Sequence, residues 1–479
     1  MSLGRSSRSR RPAWPVTGFP RACPRAKLLT LAALSLVRPT SMKHKHEASR
    51  EALMGAHAVR ATNLDLSDNA TFAQGFPHDH FTWVRRHAPV YWHEPTARTP
   101  DGEGFWVMSR HEDAMAIMLD PVTFSSDKGG GRTAGGTGLK DEYQAGKFLN
   151  WADDPRHKRL RNLVNKGFTN RAIHALEVEL RRRTVALIEA LPDSEPFDFV
   201  ARFSRDLPLQ AICLLLGVPQ EDRAQLAEWV DAGIAAPTPE IIARDFAQKL
   251  RDYGARLIVR KRGNLTDDIL STIISARLQP EEDGSEGGPL TDDELLNFFM
   301  LLFAAGAETT RSAIGGGLRA LMENPAQLEQ LRSADVDAMR TALDEILRWT
   351  TPSIHKRRTA TRDFNFKGHR IKAGDKVTYW EMSANRDEAV FDQPFRFDIA
   401  RSPNRHVAFG FGVHVCLGAS LARMEMRLAF AELLARIETF KSAGPIEWMP
   451  NNRLLGIRRM PLMIRKKSAA AMARGAPVN

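Results

Sequence analysis

Residues Phe409–Gly418 read FGFGVHVCLG, and they place one cysteine between a glycine-rich loop and a helical stretch. Backbone N–H groups at the start of a helix are unpaired, and the helix dipole adds partial positive charge there. Both effects favour a thiolate, which is the form of cysteine that binds metals. Glycines let such a loop approach a flat cofactor closely. The plain alternative is that Cys416 is a small buried hydrophobic residue, as most isolated cysteines are.

A second motif, AGAETT at Ala305–Thr310, lies inside a long apolar helix. Thr291 and Glu294 form a capping box at the start of this helix, which is predicted to run to about Met322. An acid and two hydroxyl groups within a buried helix are costly unless they are used or satisfied. The alternative interpretation is a helix kink in which the threonines bond backward to carbonyl groups.

Two further patterns carry charge. Glu345 and Arg348 share one face of a helix predicted over 338–349, and alone they indicate only a surface ion pair. His157 and Arg161 are four residues apart on another helix, where they form a suitable clamp for an anion, although either residue alone is typical of a solvated face.

The cysteine segment resembles the haem-binding loop of the cytochrome P450 family, because it matches FGxGxHxCxG at every defined position. The helix motif, the Glu-x-x-Arg pair and the His-x-x-x-Arg pair resemble other elements of the same family. The resemblance covers about residues 75–467, and it is closest to the bacterial, soluble type. It implies the cytochrome P450 fold, mainly α with small β-sheets, as a triangular helix-rich prism around a buried haem.

The resemblance also implies residue roles. Cys416 is the axial ligand to the iron of haem b, which is a thiolate-ligated iron protoporphyrin IX. Thr309 orders water and the bound oxygen, and Glu308 feeds protons from solvent. The residues implied to contact the cofactor are His157, Arg161, Gly306, Arg358, Phe409, Gly410, His414 and Gly418. Gly306 would help to form the oxygen groove. Arg357 is a rival to Arg358 for one propionate, and Arg396 is implied to complete the structural Glu345–Arg348 pair.

The implied activity is that of a monooxygenase, an oxidoreductase that hydroxylates an apolar small molecule with O2. The segments 352–358, 383–387 and 454–457 look most like those of members that act on sterols, methyl-branched lipids or terpenoids. The candidate pocket residues are Leu302, Ala305, Ile354 and Leu455. Ser125–Gly138 is rich in glycine and serine and predicts a mobile loop, and the segment 125–150 is the candidate lid.

Three rival functions stay open. A peroxide-driven haem hydroxylase or a dehydratase would depart from the acid–threonine pair, which is intact at Glu308 and Thr309. A non-enzymatic haem sensor or carrier would not need Thr309. A helical interaction protein without a cofactor would require all the motifs to be accidents.

The sequence contains no glycine-rich dinucleotide fingerprint after a strand, so we expect the electrons to come from a separate ferredoxin and its reductase. Lys158, Arg159, Arg423 and Arg427 are candidates for a positively charged docking face, although such residues are more often ordinary solvated surface. O2 and an apolar substrate are the other expected partners, and nothing in the sequence demands more than a monomer.

The 479 residues carry a net charge of +11, and the first 46 residues contain ten of the Lys and Arg residues and no acid. The remainder is nearly neutral, so nucleic-acid binding is not expected. We favour a mistaken upstream start with translation from Met42, ahead of a disordered extension and an export signal. Residues 47–479 are expected to form a single domain. The widely spaced Cys23, Cys213 and Cys416 fit a reducing cytoplasm, and no apolar run is long enough for a membrane anchor.

The remaining pattern predicts mainly helix from about 154 to 278 and again over 417–440. Short strands are predicted at 90–92, 105–107, 370–371 and 376–379, and residues 384–415 are expected to be mostly irregular.

Overall fold

A computed structural model describes residues 64–235, 239–280 and 287–468. The basic tail, Met42, Cys23 and most of the acidic glycine-rich segment 283–288 lie outside these residues, as does the end of the chain. The described residues are mainly α-helical and carry small sheets, which confirms the predicted fold class.

Among the described residues the α-helices are α1 (His78–His87), α2 (His111–Leu119), α3 (Arg156–Asn165), α4 (Asn170–Glu189), α5 (Asp206–Leu215), α6 (Arg223–Ala235), α7 (Pro239–Gly263), α8 (Ile269–Ser275), α9 (Asp292–Glu323), α10 (Pro325–Arg332), α11 (Val336–Thr350), α12 (Glu381–Ala384) and α13 (Ala419–Arg436). None of the helices in this part of the chain has the length and apolar character needed to cross a bilayer.

The strands are β1 (Val90–His93), β2 (Phe105–Met108), β3 (Phe124–Ser125), β4 (Pro196–Asp198), β5 (Arg277–Leu278), β6 (Gly288–Pro289), β7 (Lys356–Ala360), β8 (Phe364–Phe366), β9 (His369–Ile371), β10 (Lys376–Tyr379), β11 (Ile437–Ser442), β12 (Glu447–Trp448), β13 (Ile457–Arg459) and β14 (Pro461–Lys466). One sheet has the order β1-β2-β10-β7-β3 and another the order β11-β14-β4. Within the larger sheet only β2 and β10 run parallel. The four predicted strands are confirmed.

Helix α9 is the central element of the fold. Its capping box forms as predicted, because the Thr291 side chain accepts from the Glu294 N–H and the Glu294 carboxylate accepts from the Thr291 N–H. The first half of α9 packs into one core cluster with α5 and α7, and its last third packs into a second cluster with α11. The polar motif at Ala305–Thr310 therefore lies between two apolar anchors, which hold its position along the helix.

The helix that follows the cysteine is shorter than predicted. It ends at Arg436, and the residues from Ile437 onward form β11, which pairs with β14. Ile437, Thr439 and Phe440 are β-branched or aromatic, and such residues fit a pleated strand better than a helix end. The prediction of helix up to Phe440 was therefore wrong for the last turn.

The buried carboxylate of Glu345 ties α11 to the irregular segment before the cysteine loop. Glu345 pairs with Arg348 at 2.7 Å, and both side chains are fully buried. The third partner is Arg401, whose Nε lies 3.2 Å from Glu345. The expectation for Arg396 was wrong, because its side chain is 62% exposed and only its carbonyl oxygen meets Arg348. The backbone reverses its direction between Arg396 and Arg401, and this brings the side chain of Arg401 back toward α11.

The segment expected to be a mobile loop is anchored by charge. Arg132 pairs with Asp141, and Arg357 of β7 reaches the same carboxylate at 2.6 Å. Lys376 of β10 donates to the carbonyl oxygen of Leu139 at 3.1 Å. These contacts fix residues 132–141 to the five-stranded sheet, and the interpretation of this stretch as a freely moving lid has to be revised.

Candidate functional site

The cysteine loop is a tight backbone structure. Gly410 and Gly412 adopt φ values of +66° and +69°, which is the left-handed region that favours glycine. A side chain on Gly412 would place its Cβ 2.5 Å from the carbonyl oxygen of Met118. The N–H of Cys416 donates to the carbonyl oxygen of Phe409 at 2.8 Å. The loop therefore holds Cys416 just before the first turn of α13.

The electrostatics of Cys416 are set by opposing effects. Burial raises the pKa of the thiol above its ordinary value, while a hydrogen bond from the Gly418 N–H and the charges of Lys356, Arg161 and Arg423 lower it. Burial is the larger effect. The start of the helix therefore does not by itself favour a thiolate, in contrast to the interpretation from the sequence. The surrounding cations suit a thiolate whose charge is also met by a metal.

Four basic side chains gather beside this loop. The rings of His157 and His414 lie 4.2 Å apart between centroids, and His414 Nε2 lies 3.1 Å from the Ser126 hydroxyl. Burial, together with Arg358, His157 and Arg161, lowers the pKa of His414 to about 2. Within the described part of the chain, neither Arg161 nor Arg358 has an acidic partner within 4 Å.

An unmatched set of basic groups is suited to an anionic ligand. His157 Nδ1 lies 3.1 Å from Asp154, but its Nε2 is buried and has no hydrogen-bond partner. Arg357 pairs with Asp141 instead, so of these two neighbouring arginines it is Arg358 that lies near His414. The four basic residues fit the two propionates of a haem whose iron is held by Cys416, so the residues present agree with the cofactor that the resemblance implies.

The middle of α9 presents the second motif. Ala304 and Ala305 are exposed although Leu302 and Phe303 before them are buried. The Thr309 hydroxyl donates to the carbonyl oxygen of Ala305 at 2.9 Å, so the backward bond considered for a kink does form. Such a bond uses the hydroxyl proton and leaves the oxygen free to accept.

Glu308 does not stand alone as an acid. Its carboxylate pairs with Arg311 at 2.5 Å, and Arg311 is almost completely buried. The same guanidinium lies 2.8 Å from the sulfur of Met449. The pair fixes the Glu308 carboxylate against Arg311, one turn along α9 and next to Thr309 in sequence.

Gly306 has a packing role in the structure. A Cβ added there would lie 3.1 Å from the end of the Ile212 side chain, so the glycine lets α5 approach α9 closely. Its role in an oxygen groove stays a prediction, and the residue one step earlier, Ala305, is exposed.

Helix α9 and the cysteine loop border the same core cluster. Leu417, directly after Cys416, packs against the cluster that contains Phe303, two residues before Ala305. Cys416 itself keeps accessible surface. The site therefore combines a thiol, an uncharged helix face and a basic edge.

The pocket residues are only partly as expected. Leu302 is buried, and Ile354 and Leu455 pack into a core cluster with Trp380 rather than facing open space. The neighbouring residues Ser353 and Leu454, which pair across an isolated bridge, keep accessible surface. Sequence reasoning also missed Lys356, although strand alternation from Arg358 puts both on one face of β7.

A comparison with protein families finds that the model described as Cytochrome P450 matches residues 220–461. The chain is 48% identical to the putative cytochrome P450 126 of Mycobacterium tuberculosis over 414 residues, covering 85% of this chain and 99% of that protein. It is 35% identical to a methyl-branched lipid omega-hydroxylase (80% and 90% covered) and 36% identical to a steroid C26-monooxygenase (82% and 91%) of the same organism.

A solved structure of similar fold is that of Mycobacterium marinum cytochrome P450 CYP268A2 in complex with pseudoionone. The TM-score is 0.75 at 32% sequence identity, with 84% of this chain and 98% of that chain covered.

Proposed function

Because this chain belongs to the cytochrome P450 family, whose members bind haem b through a cysteine thiolate, we propose that it hydroxylates an apolar small molecule of the sterol, methyl-branched lipid or terpenoid class. The observation that carries this proposal is the placement of the exposed Cys416 beside basic residues that lack an acidic partner among the described residues, Arg161 and Arg358 among them. The names of the relatives support the substrate class, since they include a lipid hydroxylase and a steroid monooxygenase.

Cys416 would hold the iron, and His157, Arg161, Arg358 and His414 would hold the propionates. When bound, the thiolate-ligated haem activates O2 and inserts one oxygen atom into a C–H bond, at the cost of two electrons and two protons. The protein contributes the ligand geometry, the basic edge and the exclusion of bulk water.

Proton delivery is the task proposed for Thr309 and Glu308. The Thr309 hydroxyl is fixed through its bond to Ala305, so its oxygen can hold a water molecule at a defined place. Glu308 is half-buried and tied to Arg311, and it would pass protons from solvent to that water when the ion pair opens.

The pocket supports an apolar ligand. Ala304 and Ala305 offer small, uncharged surface on α9, and Leu454 is a further aliphatic residue that keeps accessible surface. Burying apolar surface against such walls contributes about 25 cal/mol per Å², so binding would scale with the size of the hydrocarbon body.

We propose a separate ferredoxin and its reductase as the electron source. Of the basic residues considered for docking, Arg423 pairs with Asp344 and Arg427 pairs with Glu177, whereas Lys158 is exposed. Charge reversal at Lys158 is therefore the cleanest test, and a ferredoxin affinity equal to that of the wild type would remove this residue from the docking face.

The decisive experiment is the carbon monoxide difference spectrum of the reduced protein, recorded beside a Cys416→Ala variant. A strongly red-shifted Soret band that is lost in the variant supports thiolate ligation, and a band that survives the substitution overturns it. A screen of sterols, branched lipids and terpenoids for spin-state shifts then tests the substrate class, and a complete lack of shifts would contradict it.

A further inference from the structure

Arg453 is a deeply set arginine that the roles above do not use. It lies in the segment between β12 and β13, and burial lowers the pKa of its guanidinium. Its side chain nevertheless keeps accessible surface.

The guanidinium of Arg453 lacks a counter-charge. Among the described residues no carboxylate lies within 4 Å of it, and its one side-chain hydrogen bond is a long contact of 3.4 Å from Nη2 to the Thr137 hydroxyl. The acid that acts on it from farther away is Glu142, whose own pKa is raised by burial. Glu142 therefore acts on the guanidinium only from beyond ion-pair distance.

A second cation stands beside Arg453. Lys356 also keeps part of its surface accessible, and the charges of Arg453 and Arg358 both lower its pKa after the effect of burial. Glu381 is the single ion-pair partner of Lys356 in the described chain, at 3.4 Å. Two partly desolvated cations, each of which lowers the pKa of its neighbour or is left without a close carboxylate, form a site that an anion would stabilise.

This site is connected to the cysteine. Lys356 lies two residues before Arg358 on β7, so both side chains point to the same face of the strand, and Arg358 belongs to the basic group beside the cysteine loop. The backbone of Arg453 is fixed against the strand that leads to Lys356, since its carbonyl oxygen accepts from the Ile354 N–H at 3.0 Å. Gly138 makes room on the other side, because a Cβ there would lie 3.3 Å from Arg453 Nη1.

We propose that Arg453, with Lys356 beside it, binds a carboxylate at one end of the substrate, so that the preferred substrates are apolar molecules with a carboxylic acid terminus. A planar guanidinium pairs with a carboxylate through two parallel hydrogen bonds, and one arginine with one half-paired lysine matches a single negative charge better than a phosphate dianion. This inference rests on the proposed function, because it specifies the class of apolar substrate that the same site accepts.

The test compares ligands that differ only in their head group. Dodecanoic acid, methyl dodecanoate and dodecan-1-ol are titrated into the haem-loaded protein, and the dissociation constants are read from the spin-state shift and, independently, from calorimetry. We expect the acid to bind about 10- to 100-fold more tightly than the ester, as for hydrogen bonds to charged groups.

Three variants separate the roles. Arg453→Gln is expected to weaken acid binding to the level of the ester and to leave ester binding unchanged, whereas Arg453→Lys keeps part of the preference. Arg459→Gln, which removes an exposed arginine paired with Glu447 on the neighbouring strand, serves as the control and retains the wild-type preference.

Equal binding of acid and ester by the wild type, or an acid preference that survives in Arg453→Gln, overturns the inference while the proposed function stands. Loss of haem from Arg453→Gln under conditions in which Arg459→Gln keeps it also overturns the inference, because the guanidinium then serves a propionate. If no acid, ester, alcohol, sterol or terpenoid shifts the spin state, the proposed function fails and the inference fails with it.

Discussion

The guanidinium of Arg401 lies 3.2 Å from the buried carboxylate of Glu345, and its Nη1 donates to the carbonyl oxygen of Asp392 at 2.7 Å. One side chain thus joins α11 to the segment that leads into the cysteine loop. Glu345 has no access to solvent, so Arg348 and Arg401 take the place of water around its carboxylate.

Replacing Arg401 by alanine should destabilise the protein by about 3 kcal/mol, since removal of one partner leaves a buried charge incompletely paired. Chemical denaturation and the rate of haem loss measure the effect. Arg396→Ala is the matched control, and because its side chain is exposed it should cost less than about 0.5 kcal/mol. Equal losses for the two variants would contradict the assignment of Arg401.

Thr309→Ala should uncouple electron consumption from product formation. The variant loses the hydroxyl that is bonded to Ala305, so we expect product per electron pair to fall about 10-fold or more, with the remainder recovered as hydrogen peroxide. Thr309→Ser keeps the hydroxyl and should retain most of the coupling. A Thr309→Ala enzyme that is as well coupled as the wild type would remove Thr309 from proton delivery.

Gly412→Ala should lower the stability of the protein by more than the strain of a positive φ alone would. The substitution forces an alanine into a positive φ and also places its Cβ 2.5 Å from the Met118 carbonyl oxygen. Gly368→Ala is the control, because Gly368 has φ +86° and open space around it. We expect the control to lose about 1 kcal/mol and Gly412→Ala to lose clearly more, together with haem affinity. Similar melting temperatures for both variants would show that the loop yields to the clash.

His355 should make stability depend on pH. Burial lowers the pKa of His355 to about 3, and its Nδ1 lies 2.7 Å from the Asn452 carbonyl oxygen. Its folded-state pKa is below the unfolded value of about 6.5, so the unfolded chain binds the proton more readily. The stabilisation is complete above about pH 6.5 and declines as the pH falls, by up to about 1.4 kcal/mol per pH unit.

The measurement is the free energy of unfolding at several pH values between 7 and 4. His355→Gln should show a shallower loss on acidification than the wild type, whatever its stability at neutral pH. His174→Gln, which removes an exposed histidine, should keep the wild-type slope. An unchanged slope in His355→Gln would contradict the prediction, because it would mean that His355 has the same pKa in the folded and the unfolded chain.

The cysteine loop and the fold class were predictable from sequence because a glycine-rich loop, a cysteine and a following helix are local features. The partner of Glu345 was not, because residues 384–415 have no regular period that would fix which arginine turns back. Arg401 is reached only through the reversal of the chain after Arg396.

Contacts across distant segments explain the other differences. The packing of Ile212 against Gly306 and the pairing of Arg357 with Asp141 join residues that are about 100 to 200 positions apart, and no short window of sequence contains them. Arg453 was missed for the same reason, whereas the position of Lys356 on β7 follows from simple alternation with Arg358.

Helix α9 belongs to two core clusters. This limits the positions at which segments of this chain can be exchanged with those of its relatives in a chimaera. A crossover within the block from α5 to α13 would combine side chains from two parents inside each cluster, and their volumes would not have been selected to fit. The two clusters together extend from Leu149 to Ile464, so residues 149–464 should be inherited as one block in functional chimaeras, with junctions placed outside that range.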